Sequence, residues 1–511
     1  MQNAASRPRT KRSAPGPRGQ KGERAWNQLF KLAPDSGVSL QIQIRRAFVA
    51  AILDKRLPPG TGLPSSRVLS AHLNVARNTV NAAYRQLADD GFITALPRSG
   101  YHVTQAPAET VSPAAPPPTQ EDSAPRWAAR IGSRYSTMRN ISKPVDWHRY
   151  PYQFIYGQPD PALFPTADWR ACSRAALAVL AIRDWAADMI DGDDSALIEQ
   201  LQHRVLPRRG IFATAEQIMI TVGTQHALYM LAELLVSAHS VVGIEEPGYP
   251  DARNIFALRG AALRPLPLGP EGIEISALTG CDLAYLTPSH QCPSAVTMSL
   301  PRRHELLERG ARQDLLIIED DYDSEMTFAN SALPALKSLD RSGRVIYLGS
   351  LSKTLAPGLR IGFMVAAPEL IAEARVLRRL MLRHPPANNQ RAAALFISLG
   401  HYDTLLRRIK KSLSERANAL GRALQTHTPA LRFTPLQGGS SVWVQGPEGL
   451  DSVLLAKLAQ QEGILIEPGE LFFHQPPVPC PYFRLGFAAT PIEKIPEGIR
   501  RLALLIEAAR I

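Results

Sequence analysis

The stretch "SLSKTLAPGLRIGF", Ser350–Phe363, decides the fold of most of this chain. It follows the apolar run 345–348, which predicts a buried strand. It places one lysine, Lys353, among small residues and one arginine, Arg360, seven positions later. An unprotonated lysine amine can form a Schiff base with an aldehyde. A lysine in a Ser-rich turn is more often a solvated side chain, so the surrounding sequence must decide its role.

Similar strand-like runs precede this stretch. From about residue 150 onward, apolar segments at 217–223, 240–246, 282–288, 314–321 and 344–350 alternate with helical patterns. Segments of this length that are apolar on both faces are typical of central strands in a mixed or parallel α/β sheet. Because ligands in open α/β sheets bind at the carboxyl ends of strands, the polar residues that follow these segments are candidate site residues.

Several of these polar residues could hold the phosphate of pyridoxal 5'-phosphate, an aldehyde cofactor that a lysine anchors. The phosphate needs hydrogen-bond donors. The backbone amides of Gly223, Thr224 and Gln225 would supply them at a predicted helix N-terminus. Ser350 and Arg360, on either side of the lysine, could close around the same phosphate.

The pyridine ring of that cofactor needs an anion beside its nitrogen and a group against its face. Carboxylates end the segment 314–321, and one of them would keep the nitrogen protonated. The same carboxylates are also compatible with a solvated strand end or a metal site. Tyr249, in "EEPGYP" (245–250), offers an aromatic ring, and "TPSHQCP" (287–293) offers polar groups to the ring oxygen.

Taken together, the five motifs resemble the class I aminotransferases of fold type I from about residue 150 to 511. The match includes "GQPDPALFP" (157–165) and "FRLGFA" (483–488). The resemblance implies an α/β, PLP-dependent transferase fold and gives roles to the matching positions. The implied cofactor residues are Lys353 for the Schiff base, Asp320 for the pyridine nitrogen with Glu319 as the fallback, Tyr322 for the ring oxygen, His290 in a region where many members have asparagine, Tyr249 for stacking, and Thr224, Ser350 and Arg360 for the phosphate. Arg484 would receive the carboxylate or sulfonate of an effector.

Most of the positive charge lies in the first 104 residues. They hold 16 Lys and Arg against 5 Asp and Glu, whereas the whole chain of 511 residues has a net charge of +12. A basic segment on a nearly neutral body favours a polyanionic partner. Residues 1–35 show little periodicity and are interpreted as a basic mobile arm. A solvated tail does not explain the patterned residues that follow.

Residues 36–104 predict a winged helix-turn-helix. The predicted elements are, in chain order, a helix capped by Ser39, a helix over 65–73 with Val68 and Leu69 facing inward, a helix over 77–90 with Val80, Ala83, Tyr84 and Leu87 on one face, and two short strands within 92–103 around a Pro/Gly turn.

In such a domain, the N-terminus of the second helix of the motif faces base edges in the major groove. Arginine can bond guanine bidentately, and asparagine can do the same with adenine. The candidate DNA contacts are Arg77, Asn78 and Thr79 to bases, Arg67 to phosphate, and Arg98 and Ser99 in the wing turn to the minor groove or the backbone. A single surface arginine is ordinary, whereas the combined pattern is specific.

The stretch from "LPPGTGLPSSRVLSAHL" (57–73) to "RSGYHV" (98–103) resembles the DNA-binding domain of the GntR family of bacterial regulators. The chain departs from that family at Ala76, where serine is more common, and at Asn74, where glycine is usual. Because asparagine tolerates a left-handed backbone, the turn is expected to survive.

A Pro-rich linker separates the two halves. Residues 105–125 contain six prolines and cannot build a core, so 105–149 is predicted to join the winged helix-turn-helix of 36–104 to the aminotransferase-like domain of 150–511. This combination resembles the MocR subfamily of bacterial regulators. Two further stretches, "GDDSALIEQLQHRVLPRRGI" and "SHQCPSAVTM", resemble its taurine and ectoine branch.

The MocR resemblance implies a homodimeric regulator that binds operator DNA and pyridoxal 5'-phosphate. In that subfamily the body is a sensor: an amine or amino-acid-like effector forms an external aldimine with the cofactor in place of the lysine, here Lys353. Two alternatives stay open. One is a working class I aminotransferase that carries a DNA-binding head and has turnover as its main task, whereas the regulatory reading allows at most weak transaminase activity. The other is a DNA-binding protein whose body only forms a dimer.

Cysteine usage and hydropathy indicate the compartment. The four cysteines are scattered without a CxxC pair, which favours a reduced protein without structural zinc. No apolar run reaches the ~18 residues of a membrane span, and no signal-peptide pattern follows the basic N-terminus. The sequence therefore predicts a cytoplasmic protein without a metal site.

Overall fold

The computed structural model forms two compact units, Met1–Gly132 and Ser133–Ile511. The residues it describes are 30, 32–33, 37–96, 99–104, 127–132, 135–157, 160–328, 333–433 and 438–510. Nearly all of the predicted basic arm lies outside these residues, as does 105–126 of the predicted linker.

The first unit contains the predicted winged helix-turn-helix. Its elements are α1 (Leu40–Leu53), α2 (Ser66–Leu73), α3 (Arg77–Asp89), β1 (Ile93–Leu96), β2 (Gly100–Val103) and α4 (Trp127–Arg130). The hydroxyl of Ser39 accepts a hydrogen bond from the amide of Ile42 and caps α1, as predicted. β1 and β2 pair antiparallel, with Ile93 opposite Val103.

The core of this unit lies between α1 and α3. The four predicted positions of α3 are fully buried, and the hydroxyl of Tyr84 donates to the carbonyl of Pro64 at 2.8 Å. The inward placement of Val68 was wrong. Val68 is 59% exposed while Leu69 is 1% exposed, because adjacent residues of a helix point about 100° apart. Asn74 adopts the left-handed conformation expected for the turn, with φ 51°.

The second unit is built on an eight-stranded mixed sheet, and every strand segment predicted from 217 to 350 is found there. The strands of this unit are β3 (Tyr152–Gln153), β4 (Ile218–Thr221), β5 (Val241–Glu246), β6 (Ala262–Gly269), β7 (Gly272–Ile273), β8 (Leu283–Leu286), β9 (Leu316–Asp321), β10 (Val345–Ser350), β11 (Gly362–Val365), β12 (Arg432–Phe433), β13 (Ser441–Gln445), β14 (Ile464–Leu465), β15 (Glu467–Pro468) and β16 (Tyr482–Gly486).

The order of strands in the large sheet is β4-β11-β10-β9-β8-β5-β6-β7. The neighbours from β10 to β6 pair in parallel, whereas β11 runs antiparallel to both β4 and β10. Successive residues of β9 contribute to different hydrophobic clusters, Ile317 to one and Ile318 to another. Both faces of the sheet are therefore buried, which explains the continuous apolar runs in the sequence.

Helices surround this sheet. They are α5 (Thr166–Ala176), α6 (Val179–Trp185), α7 (Ser195–Gln200), α8 (Thr224–Leu235), α9 (Pro250–Leu258), α10 (Leu300–Gln313), α11 (Leu336–Leu339), α12 (Pro368–Leu382), α13 (Ala387–Ser398), α14 (His401–His427), α15 (Ser452–Gln461) and α16 (Ile495–Ile506). No helix among the described residues is long and apolar enough to cross a membrane.

A second, antiparallel sheet lies near the C-terminus in the order β12-β13-β16-β15. In its register, Arg484 on β16 stands opposite Trp443 on one side and Glu467 on the other. This sheet therefore brings the predicted effector-binding arginine next to a carboxylate.

Residues 135–149, which we call the strap, lie in the second unit, whereas the sequence places them in the linker. The guanidinium of Arg139 donates to the carbonyls of Phe473 and His474 at 3.3 and 3.1 Å. The amide side chain of Asn254 donates to the carbonyl of Arg139 at 3.0 Å. These polar contacts hold a segment that has no hydrophobic pattern from which its docking could be predicted.

Candidate functional site

Lys353 and Arg360 lie on one hairpin that joins β10 to β11. The base of the hairpin is closed by Ser352, whose hydroxyl donates to the carbonyl of Ile361 at 3.1 Å and accepts from its amide at 2.9 Å. The backbone amides of Leu351 and Ser352 donate to the same carbonyl. The two functional side chains are thus held at a fixed separation at the edge of the sheet.

Lys353 is held against an aromatic ring in surroundings where burial favours the neutral amine. Its Nζ is 4.4 Å from the centre of the Tyr156 ring. Burial lowers the pKa of Lys353, and the carboxylate of Asp323 offsets only part of this effect. A neutral amine is the form that condenses with an aldehyde, so burial prepares the lysine for Schiff-base formation.

A cavity of about 300 Å³ lies beside Lys353. Five further residues predicted to bind the cofactor or the effector line it: Thr224, Tyr249, Asp320, Tyr322 and Arg484. These residues come from the ends of different strands and from the second sheet. The volume of the cavity is at the lower end of the range for small-molecule sites.

Of the three carboxylates that end β9, only Asp320 faces this cavity. Both oxygens of Glu319 accept hydrogen bonds from backbone amides, one from Leu336 and one from Lys337, each at 2.8 Å. Glu319 is therefore engaged elsewhere, and Asp320 is the better candidate for the pyridine nitrogen. Asp321 pairs with Arg209 at 2.7 Å. All three carboxylates are buried, which excludes a solvated strand end. The described residues contain no group of His, Cys, Asp or Glu that could hold a metal ion.

Asp320 has one oxygen free for a ligand. Its Oδ2 accepts the hydroxyl of Tyr285 at 2.8 Å, while Oδ1 is buried and has no hydrogen-bond partner in the described part of the chain. Burial raises the pKa of Asp320 to about 7. A pyridinium N–H in the cavity would satisfy Oδ1 and stabilise the ionised carboxylate.

The phosphate end is formed by α8 and Arg360. Gly223 precedes α8 with φ 86°, and its missing side chain leaves room for Arg360, whose Nη2 would lie 2.6 Å from a Cβ at that position. Arg360 donates to the carbonyl of Val222 at 2.9 Å. The free amides at the N-terminus of α8, together with this guanidinium, suit a phosphate. Thr224 lines the cavity at the same end.

Gln225 is the second residue of α8, so its backbone amide lies at the helix N-terminus where the sequence predicts a phosphate donor. Its side chain donates to Asp251 at 3.3 Å, where the hydroxyl of Tyr249 also donates at 2.9 Å. The predicted phosphate contact of Ser350 is placed differently. Ser350, the last residue of β10, does not border the cavity. The predicted role of Ser350 as a phosphate ligand therefore has no support from the residues that line this cavity.

The ring-oxygen end is built from Tyr322, with His290 behind it. The hydroxyl of Tyr322 donates to the backbone carbonyl of His290 at 2.9 Å. The imidazole of His290 packs instead against Gly438 and lies 3.4 Å from the hydroxyl of Thr327. His290 thus positions the tyrosine and does not line the cavity.

Arg484 closes the opposite end of the cavity. Its Nε donates to the carboxylate of Glu467 at 2.7 Å, and its guanidinium lies between the rings of Tyr156 and Phe472 at 4.4 and 4.6 Å. Its Nη2 is buried and has no partner among the described residues. This nitrogen is available to an anionic group in the cavity.

The residues present therefore fit pyridoxal 5'-phosphate at its aldehyde, its pyridine nitrogen and its phosphate. Sequence reasoning missed Tyr156, Tyr285, Cys292 and Glu467, all of which line the cavity. Tyr156 directly precedes the "GQPDP" motif, so its position gave a usable signal. Glu467 gave none, because only the strand pairing brings it to Arg484.

The candidate DNA-binding side chains that the structure describes lie on α2, on α3 and in the wing of the first unit. Arg77 and Asn78 are exposed at the start of α3, Thr79 is half-buried, and Arg67 is exposed on α2. Arg77 contacts the hydroxyl of Ser66 at 3.3 Å. Residue Ala76 offers no side-chain cap, so the first amides of α3 are open to a phosphate. Ser99 is exposed in the wing, and Arg98 lies outside the described residues.

Two family descriptions match the two units. Residues 40–103 match "Bacterial regulatory proteins, gntR family", and residues 186–502 match "Aminotransferase class I and II". The chain is 40% identical to "HTH-type transcriptional regulator TauR" of Rhodobacter capsulatus over 93% of this chain and 98% of that protein. It is 32% identical to "Probable rhizopine catabolism regulatory protein MocR" of Rhizobium meliloti, over 93% of this chain and 95% of that protein.

Solved aminotransferases share the fold of the second unit. A kynurenine aminotransferase of Pyrococcus horikoshii in complex with PMP is 28% identical, with a TM-score of 0.69 over 75% of this chain and 98% of that one. An alpha-aminoadipate aminotransferase of Thermus thermophilus, complexed with N-(5'-phosphopyridoxyl)-L-leucine, is also 28% identical. Its TM-score is 0.68, again over 75% of this chain and 98% of that one. Both likenesses span the aminotransferase chains almost entirely.

Proposed function

The chain belongs to the MocR subfamily of GntR-type transcriptional regulators, and we propose that its aminotransferase-like unit senses an amine or amino-acid-like effector for the DNA-binding unit. The cofactor of this unit is pyridoxal 5'-phosphate. When bound, it supplies an aldehyde carbon with which primary amines condense.

One observation carries the proposal: Lys353, Asp320 and Arg484 border one cavity in a chain that also presents Arg77 and Asn78 at the start of a recognition helix. Asp320 would hold the pyridine nitrogen. Arg360 and the start of α8 would hold the phosphate. Arg484, through its free Nη2, would hold the anionic group of an effector.

An effector that takes the place of Lys353 changes the contacts of the cavity. It releases the lysine amine toward Asp323 and engages the buried guanidinium of Arg484. A ligand shifts a conformational equilibrium only through such a difference in contacts between two states. We propose that the shift acts on a homodimer whose two winged helix-turn-helix units read two half-sites in the cytoplasm.

A mobility-shift titration tests this function. Purified protein with its cofactor is titrated against DNA from upstream of its own gene, with and without a panel of amines and amino acids. We expect at least one of them to change both the affinity for DNA and the visible absorbance of the cofactor. If none changes the DNA affinity while a keto acid supports multiple turnovers, the protein is an aminotransferase and the proposal fails.

A further inference from the structure

The strap contributes a wall to the cofactor cavity. Ile141, Ser142 and Lys143 line the cavity on the side of Arg484 and Glu467, while Arg139 fixes the strap to the carbonyls of Phe473 and His474. The side chain of Lys143 points across the ring of Trp147, with its Nζ 4.7 Å from the ring centre. A lysine that sequence reasoning assigned to the linker therefore borders the effector end of the site.

The charges at this end do not suit an anion without Lys143. Arg484 is the predicted anion receptor, but its buried guanidinium already pairs with Glu467. The pair has no net charge, and an effector carboxylate or sulfonate would add a second anion beside Glu467. Burying an uncompensated charge is costly. Arg484 therefore offers an anion a hydrogen bond from Nη2, but together with Glu467 it offers no net positive charge.

Lys143 supplies the missing positive charge. It forms no ion pair with the described residues, so its ammonium is available. Two other carboxylates line the cavity away from this end. Asp251 accepts the side chain of Gln225 at the start of α8 and the hydroxyl of Tyr249, and Asp320 faces the pyridine position. Partial burial lowers the pKa of Lys143, and the carboxylate of Glu467 acts on it in the opposite direction.

We propose that Lys143 is a specificity-determining residue that makes the site select amines carrying one anionic group. Two cations, Arg484 and Lys143, and one anion, Glu467, leave a net charge of one unit for the effector to neutralise. This inference rests on the proposed effector function. Because the strap follows the Pro-rich stretch 105–125 in the sequence, an effector that contacts Lys143 would also change the contacts of the segment that directly continues that stretch.

The test compares anionic and uncharged amines on the full-length protein with its cofactor. The probes are taurine and 3-aminopropanoate, against propylamine, which lacks an anionic group. The variants are Lys143→Gln, Lys143→Arg and the matched control Lys457→Gln, an exposed lysine on α15 far along the sequence. The concentration that gives half of the cofactor absorbance change is measured for each pair, and DNA affinity is measured in parallel.

We expect Lys143→Gln to raise this concentration roughly tenfold for the anionic amines and less than about twofold for propylamine, the size of one lost charged contact. Lys143→Arg should retain the preference, and Lys457→Gln should match the wild type. Equal losses for all amines, or no loss, overturn the inference while leaving the proposed function intact. A wild-type protein that responds to none of these amines or to any other in the wider panel rejects the proposed function itself.

Discussion

Arg484 and Glu467 stand opposite each other on adjacent antiparallel strands and share a 2.7 Å ion pair, with both side chains buried. A complete buried ion pair adds little stability, but removing one partner leaves the other charge buried and unpaired. We expect Arg484→Gln to lower the free energy of unfolding by roughly 3–5 kcal/mol. Chemical denaturation measures this change.

The double variant Arg484→Gln with Glu467→Gln separates stability from binding. It should recover much of the lost stability, because no charge is left unpaired, yet it should not respond to an anionic amine. A double variant that regains the response would show that Arg484 does not hold the effector.

Lys353→Ala should abolish the visible absorbance band of the lysine-bound cofactor, because the only other lysine that lines the cavity among the described residues is Lys143, at the effector end. The substitution removes a buried amine and leaves the hairpin bonds of Ser352 in place. Absorbance spectra of purified Lys353→Ala and Lys457→Ala are compared. Persistence of the band in the first variant contradicts the assignment of Lys353.

Gly223→Ala should weaken cofactor binding by displacing Arg360. A Cβ at residue 223 would lie 2.6 Å from the Arg360 Nη2, and the alanine backbone would have to adopt φ 86°. Gly343 is the matched control, since it has φ 74° and open space around it. Both variants should lose stability because a side chain is strained at positive φ. Gly223→Ala should lose more, since φ 86° with ψ 168° is a conformation that essentially only glycine adopts. Only Gly223→Ala should lower cofactor affinity in an equilibrium titration, and equal affinities would refute the phosphate site.

Asp320 should give the cofactor-free protein a distinct pH dependence. Burial raises the pKa of Asp320 to about 7, whereas in an unfolded chain the value is about 3.9. Between these limits the folded state binds a proton that the unfolded chain has released, so this contribution to stability is lost as pH rises from about 4 to about 7.

Asp320→Asn removes the titrating group. Its free energy of unfolding should therefore fall less steeply than that of the wild type across this window, and its cofactor affinity should be lower. Denaturation curves of the cofactor-free proteins at several pH values measure the difference. Parallel profiles would mean that Asp320 is ionised in the folded protein throughout.

Arg77→Ala should weaken specific DNA binding by about 1–3 kcal/mol and relax base preference at one position. Arg77 is exposed at the start of α3, and within the described part of the chain its guanidinium makes one hydrogen bond, to the hydroxyl of Ser66. The control Arg432→Ala removes the same charge from the second unit. Equal affinities for operator DNA would count against α3 as the recognition helix.

Much of the fold could be predicted because its signals are local. The cap at Ser39, the buried face of α3 and the continuous apolar runs of β5, β8, β9 and β10 each depend on residues close together in the chain. The same holds for the hairpin that carries Lys353. The error at Val68 arose because α2 turns the side of Leu69 toward the core, which leaves the adjacent Val68, about 100° away around the helix, exposed.

The site was less predictable where it depends on distant pairings. Glu467 reaches Arg484 only through the register of β15 with β16, and the strap reaches the cavity through the backbone carbonyls of Phe473 and His474. Neither contact leaves a periodic pattern. The side chain of His290 faces away from the cavity because Gly438 leaves room for its imidazole, which motif spacing alone does not show.

The hairpin between β10 and β11 has a consequence for how this lineage can vary. Ser350 is paired with Gly362, and Ser352 is bonded to both backbone groups of Ile361, so the residues between them form a closed ring of fixed length. A single inserted or deleted residue would move Lys353 relative to Arg360 and separate the covalent anchor from the phosphate clamp. Substitutions can accumulate within this ring, but insertions and deletions cannot. The number of residues from the lysine to the arginine should therefore be kept even where most of the residues between them change.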